Sequence, residues 1–215
     1  MIRVLLVDDH ALFRSGLISV LSGAPDIEVF GDVASGEDAL ELLSHGCSDA
    51  VLPDVVLMDV NMPGMGGIET TRKIARRWSE IKVIAVTALS DDPFPARLLD
   101  AGADGFISKG CAADDVFEAI RAVTSGRQYL SADIAQKLAL GRMVSGGQQS
   151  ALGMLSPREM QVMMMLVQGQ GTQAICDALF LSPKTISTYR HRLYDKLGVS
   201  NDVELTHYAL RHELI

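Results

Sequence analysis

The 215-residue chain is 48% apolar and 21% charged, a composition that buries real cores and excludes a disordered or fibrous protein. Its apolar runs fall well short of the ~18 residues of a membrane helix, and Met1–Val7 meets Asp8-Asp9-His10 where a leader would carry small cleavage-site residues, so a cytoplasmic location without membrane contact is expected. The formal charge of −8 is uneven, with 11 Lys/Arg against 20 Asp/Glu in residues 1–130 and six of each in 151–215; bulk charge gives no argument for nucleic acid, and any such site has to be local.

In chain order, short apolar runs alternate with helically periodic segments. The runs are Ile2–Val7, Ile27–Val33, Val55–Met58, Lys82–Thr87 and Gly105–Ile107; the helical segments are Ala11–Leu21, Gly36–Leu43, Gly67–Trp78, Phe94–Ala101 and Ala112–Thr124. Continuous apolar strands between helices imply a parallel sheet covered on both faces. The crossover rule makes the flavodoxin-like, doubly wound (βα)5 α/β fold the expected topology for residues 1–125. Residues 126–152 read as a linker holding a short helix over Ser131–Leu140 and then a Gly/Ser/Gln-rich stretch. Residues 153–215 contain no strand-like run and read as an all-α domain of four helices, roughly 157–168, 172–179, 183–197 and 202–212. Three of the starts are marked, by Ser156-Pro157-Arg158-Glu159, Ser182-Pro183 and Asn201 with Glu204. Cys47, Cys111 and Cys176 are far apart and odd in number, which argues for packing residues and against a disulfide framework or zinc site.

Functional groups of a parallel α/β sheet gather beyond the carboxyl ends of its strands. There the order of elements places Asp8 and Asp9 after the first strand, Asp59 after the third, Thr87 after the fourth and Lys109 after the fifth. Clustered carboxylates repel one another and favour a hard divalent cation, and oxygen ligands suit magnesium. A carboxylate beside that cation can attack phosphorus, with Lys109 neutralising the transferring oxygens. Asp54 precedes its apolar run, so it stands at the wrong end of its strand to compete with Asp59.

Val7-Asp8-Asp9-His10, Val56 to Gly67 with Met58-Asp59-Val60-Asn61-Met62-Pro63-Gly64, Thr87-Ala88 and Ser108-Lys109 resemble the receiver domain of two-component response regulators. The resemblance implies Asp59 as phosphoacceptor. It also implies Mg2+ held by Asp9, Asp59 and the carbonyl of Asn61 with Asp8 assisting, and Thr87 with Phe106 as the pair that shifts on phosphorylation. Two departures stand out: Gly110 follows the lysine where many receivers have proline, which predicts a trans bond or use of glycine freedom, and Phe106 stands where tyrosine is common.

In the segment Ser182–Leu197, Ile186, Tyr189, Leu193 and Leu197 form a core stripe. The other face carries Lys184, Ser187, Thr188, His191 and Asp195, flanked by Arg190 and Arg192, and the preceding helix is joined through Phe180-Leu181. This spacing fits a helix-turn-helix whose polar groups reach base edges and whose cations take phosphates; from periodicity alone, an ordinary solvated bundle helix fits equally. Leu155 to Glu159, Ser182 to Arg190 and Lys196-Leu197-Gly198-Val199 resemble the LuxR/NarL-type DNA-binding domain, and the whole chain is similar to NarL/FixJ response regulators, nearest their GacA/UvrY group through Asp202 to His212. The resemblance implies Ser187, Thr188 and His191 facing bases, and Lys184, Arg190 and Arg192 on phosphates, with Thr185 and Lys196 also in the DNA-binding set. Gly171 to Ile175 lacks the Lys-Glu pair usual in the family, which predicts weaker DNA affinity.

The function implied is a transcription regulator, not a turnover enzyme, phosphorylated on Asp59 by a sensor histidine kinase of hybrid type with a phosphotransfer domain. It would pair as a homodimer on double-stranded promoter DNA and act on small regulatory RNA genes. An aspartyl-phosphate phosphatase would need an insertion long enough to cap a substrate, a constitutive DNA binder would not need the complete acid set with Lys109, and a flavodoxin would need a phosphate-cradling loop after the first strand; the sequence argues against each.

Overall fold

The computed structural model describes residues 1–45, 52–87, 94–131, 134–135, 151–212 and 214. The chain divides into two compact units, Met1–Leu138 and Ala139–Ile215. Most of the helix expected over Ser131–Leu140, and the Gly/Ser/Gln-rich stretch after it, lie outside the described residues.

In the first unit β1 (Ile2–Val7), β2 (Ile27–Val33), β3 (Val55–Asp59), β4 (Lys82–Thr87), β5 (Gly105–Ser108) and β6 (Tyr129–Leu130) alternate with α1 (Ala11–Leu21), α2 (Gly36–His45), α3 (Gly67–Arg77), α4 (Phe94–Ala101) and α5 (Ala113–Thr124). The sheet runs β2-β1-β3-β4-β5-β6, every pair parallel. The sixth strand goes beyond the five expected: two residues are too few for any periodicity, and their pairing with Gly105 and Phe106 of β5 places them.

Strand alternation explains why both faces are apolar. Val4, Leu6, Val55, Leu57, Ile84 and Val86 pack with Leu21 of α1 and Ala119, Ile120 and Val123 of α5. Leu5, Val7, Val56, Met58 and Val83 turn the other way, onto Ala39 and Leu43 of α2 and Ile74 of α3. The order reverses direction beside β1, so the crevice for a ligand opens at the carboxyl ends of β1 and β3. Asp8 and Asp59 stand there, both buried. Asp54, at the other end of β3, is bound to Arg3 with Arg3 Nη2 donating at 2.9 Å to Oδ1.

The second unit has a short 3-10 turn at Ala151–Met154, then α6 (Pro157–Val167), α7 (Thr172–Leu179), α8 (Pro183–Leu197) and α9 (Asp202–Arg211). The helix starts expected from the sequence are seen as caps. Ser156 Oγ accepts from the Glu159 N–H at 3.2 Å, Ser182 Oγ from the Thr185 N–H at 3.2 Å, and Asn201 Oδ1 from the Glu204 N–H at 2.9 Å. Met163 and Met164 are buried with Ile175, Leu179, Ile186, Leu193 and Leu205 in one small core. No helix among the described residues is long and apolar enough to cross a membrane.

Candidate functional site

The end of β3 positions the centre of the first site. A side chain at Gly67, the first residue of α3, would collide with the Asp59 carbonyl oxygen and Val60 Cα; this close approach requires glycine. The Gly67 N–H donates to the Val60 carbonyl at 3.0 Å, so the loop from Asp59 into α3 is pinned. Asp59 Oδ1 accepts from the Asn61 N–H at 3.3 Å, and Oδ2 accepts from Lys109 Nζ at 3.0 Å. Lys109 Nζ also stands 2.7 Å from Asp8 Oδ2 and 4.8 Å from the Phe13 ring centre. The Lys109 N–H donates to the Thr87 carbonyl at 2.8 Å, which ties the loop after β5 to the end of β4. Gly110 is not among the left-handed glycines, so the loop makes no use of glycine freedom there.

Asp8, Asp9, Asp59 and Lys109 thus meet at one edge of the sheet, with Thr87 at the end of β4 and Asn61 in the loop after β3. Thr87 and Phe106 are both fully buried. Each of Asp8, Asp9, His10 and Asp59 offers a ligand atom within 4.8 Å of the others. His10 had no role in the sequence reading; its signal was its place directly after the acid pair. Its Nδ1 lies 2.9 Å from Asp9 Oδ1 and 3.3 Å from Asp8 Oδ1, and its N–H donates to Asp8 Oδ1 at 2.7 Å.

Burial, then the adjacent Asp8 carboxylate, push Asp59 up to about 6 against the pull of Lys109 and the Asn61 N–H. Burial works against the Lys109 charge, yet Asp8 and Asp59 more than offset it and hold the ammonium above its ordinary range. One cation facing three carboxylates leaves negative charge uncompensated. Asp9 Oδ1 is buried with no hydrogen-bond donor aligned on it. Hard oxygen donors in this state fit a divalent cation such as Mg2+, for which Asp8, Asp9 and Asp59 are the available carboxylates.

In the second unit the cap at Ser182 and the left-handed Gly198 (φ 66°) delimit α8. Ile186, Leu193 and Leu197 are buried and Tyr189 half-buried, while Lys184, Ser187, Thr188, His191, Arg192 and Asp195 are exposed and Thr185 half-buried. Two residues of the expected DNA-binding set, Arg190 and Lys196, have partners inside the domain. At ~100° per residue Arg190 falls on the side of Leu193 and Leu197, and its Nη2 pairs with Asp202 Oδ2 at 3.0 Å. Lys196 Nζ donates to Glu159 Oε2 at 2.7 Å and to the Met154 carbonyl at 3.1 Å. Both cations have partners within the domain, because each sits beside the core stripe instead of opposite it.

Residues 4–121 match the response regulator receiver domain, and residues 153–209 match the bacterial regulatory proteins of the luxR family. The chain is 47% identical over 214 residues to the response regulator UvrY of Escherichia coli (strain K12), covering 100% of this chain and 96% of that protein. It is 45% identical over 215 residues to the response regulator GacA of Pseudomonas aeruginosa, covering 98% of it. Among solved structures, RcsB from Salmonella enterica serovar Typhimurium, bound to promoter P1flhDC in the presence of phosphomimetic BeF3-, aligns with a TM-score of 0.68. That alignment has 25% identity and covers 96% of this chain and 97% of RcsB.

Proposed function

The chain belongs to the response regulators that join a receiver domain to a LuxR-type DNA-binding domain, and from that premise we propose that phosphorylation of Asp59 controls its binding to promoter DNA. One observation carries the reading: a buried carboxylate at the carboxyl end of the central strand, 3.0 Å from Lys109 Nζ and beside two further acids. A carboxylate oxygen of Asp59 attacks phosphorus, the bond to the leaving nitrogen of a kinase or phosphotransfer histidine breaks, and an acyl phosphate results. Lys109 offsets charge on the transferred group, and Thr87 donates to it. A Mg2+ held by Asp8, Asp9, Asp59 and the Asn61 carbonyl would supply charge neutralisation at the phosphoryl oxygens.

The phosphoryl group adds ~1.5–2 negative charges at that edge of the sheet. Thr87 and Phe106 transmit the change, and the result is pairing of two chains on an inverted-repeat site. In α8, Ser187, Thr188 and His191 meet base edges while Lys184 and Arg192 meet phosphates. RcsB, the structural relative, was captured on a promoter with a phosphomimetic present, which supports the same coupling here. A hybrid sensor kinase as donor and small regulatory RNA genes as targets rest on the likeness to GacA and UvrY.

The test is acetyl phosphate with Mg2+, followed by phosphate-affinity electrophoresis and DNA binding. The parent is expected to shift and to bind DNA more tightly; Asp59→Asn is expected to do neither. Undiminished phosphate-dependent binding in that variant would remove Asp59 as acceptor. Mapping bound genomic DNA with and without phosphorylation tests the target class.

A further inference from the structure

We propose that Asp202 is a positioning residue for the DNA-reading helix: its carboxylate clamps Arg190 and Tyr194 of α8 against the start of α9, so that Arg190 seats the helix and does not touch a phosphate. The proposal rests on the reading of α8 as that helix.

Both carboxylate oxygens are engaged. Oδ2 stands 3.0 Å from Arg190 Nη2, and Oδ1 accepts from the Tyr194 hydroxyl at 2.6 Å. Arg190 and Tyr194 are four residues apart and so lie one above the other on the helix surface. Burial and then the bond to Asp202 push the Tyr194 phenol up to about 12, so it remains a donor throughout the physiological range. Arg190 Nε is buried without a hydrogen-bond partner, a guanidinium turned inward. Asp202 is the first residue of α9, where the helix dipole favours a carboxylate, and the Asn201 cap fixes that start.

On the other flank of the core stripe, Lys196 is bound to Glu159 of α6. Two ion pairs on opposite flanks therefore resist rotation of α8 about its own axis. Rotation decides which side chains face a groove, since one residue of slippage is ~100°. Asp202 acts on sequence discrimination through this rotation, without contacting DNA.

The measurement is binding of the phosphorylated full chain to two duplexes across a salt series: a mixed-sequence duplex, and one selected by the parent from a random pool. Arg192→Ala is expected to reduce the slope of log K against log salt by about two, one for each of the two paired copies, whereas Arg190→Ala leaves it unchanged. Asp202→Asn and Tyr194→Phe are each expected to lower the preference for the selected duplex about tenfold, with the slope unaltered. Arg190→Gln combined with Asp202→Asn should be no worse than either alone, because the pair acts as a unit. Tyr194→Phe, which removes a single hydroxyl, serves if the charge variants fail to fold. A slope reduced by about two in Arg190→Ala, or an undiminished preference in folded Asp202→Asn and Tyr194→Phe, overturns the proposal while leaving α8 as the DNA-reading helix. A parent that binds neither duplex overturns that reading first.

Discussion

Asp59 stands at the end of a strand whose five residues are all buried, and its setting has a thermodynamic consequence that can be measured without any phosphate. A carboxyl group raised from 3.8 to about 6 in the fold is more readily protonated there than in the unfolded chain. Its contribution favours the fold below pH ~3.8 and is lost as pH rises through ~6, by on the order of 3 kcal/mol. Asp59→Asn, neutral at every pH, is therefore expected to be more stable than the parent at pH 7–8 in chelator and to have no such advantage near pH 3.5. Thermal unfolding of the two proteins across that range decides it; an advantage that grows towards acid would mean that Asp59 is held charged by its neighbours. The same residue was legible from its place at a strand end, but its burial was not. A second residue-scale feature was invisible in the sequence. Phe180, in the turn before α8, has φ 53° and is 83% exposed. The left-handed conformation costs a side chain ~1–2 kcal/mol, and an exposed ring recovers little of it. Phe180→Asn is expected to stabilise the second unit by about 0.5–1 kcal/mol, since asparagine tolerates this region; unchanged or lowered stability would show that the ring is held by contacts.

At the scale of elements, sequence patterns located the helices and strands well where a physical signal was strong. β1, β2 and β4 have the bounds that their apolar runs predict, and Ser156, Ser182 and Asn201 cap the helices that they announce. What the patterns did not announce shares a cause, which is that a tertiary partner, not a local pattern, decides it. β6 exists because β5 has an open edge. The partners of Arg190 and Lys196, Asp202 and Glu159, are set by the packing of other helices and are not announced by the pattern of α8 itself. The Glu159–Lys196 pair shows how one contact can serve two elements. Glu159 is buried, bonds the Ser156 N–H at 2.6 Å to start α6, and holds Lys196 of α8. Burial opposes its charge, but Lys196 and Ser156 hold the carboxyl below its ordinary range. A depressed carboxyl contributes stability that is present above its unfolded value of 4.5 and is lost as pH falls through the lower folded value. Lys196→Met strands the carboxylate and is expected to destabilise the second unit by about 1–3 kcal/mol at pH 7, with the deficit shrinking below pH 4. Urea midpoints measured at the two pH values check this, and a pH-independent deficit would assign the loss to packing alone.

The whole molecule joins an acidic unit to a neutral one, and this sets how it can hold DNA. Of the six cations in residues 151–215, Arg190 and Lys196 have carboxylate partners, Arg158 lies in the first turn of α6 bonded to Gln161, and Arg211 is the last residue of α9. On the outward face of α8 the exposed cations are Lys184 and Arg192. Each phosphate neutralised contributes ~0.9 to the salt slope, so one copy bound through that face gives a slope of roughly −2 and two copies roughly −4. A slope of −2 corresponds to weak, easily screened binding, and the acidic unit adds repulsion at low salt. Useful affinity at physiological salt thus demands that two chains engage together, and the cost of bringing them together is what a phosphorylation-dependent pairing surface would remove. The phosphorylated chain is accordingly expected to bind its selected duplex with a slope near −4 and a sigmoidal dependence on protein concentration. The Asp59→Asn chain should show a slope near −2 on the same duplex. Fluorescence anisotropy between 50 and 200 mM salt, roughly the range over which such slopes are read, separates the two. Equal slopes for both proteins would mean that pairing is independent of Asp59 and that phosphorylation acts on access to α8 alone.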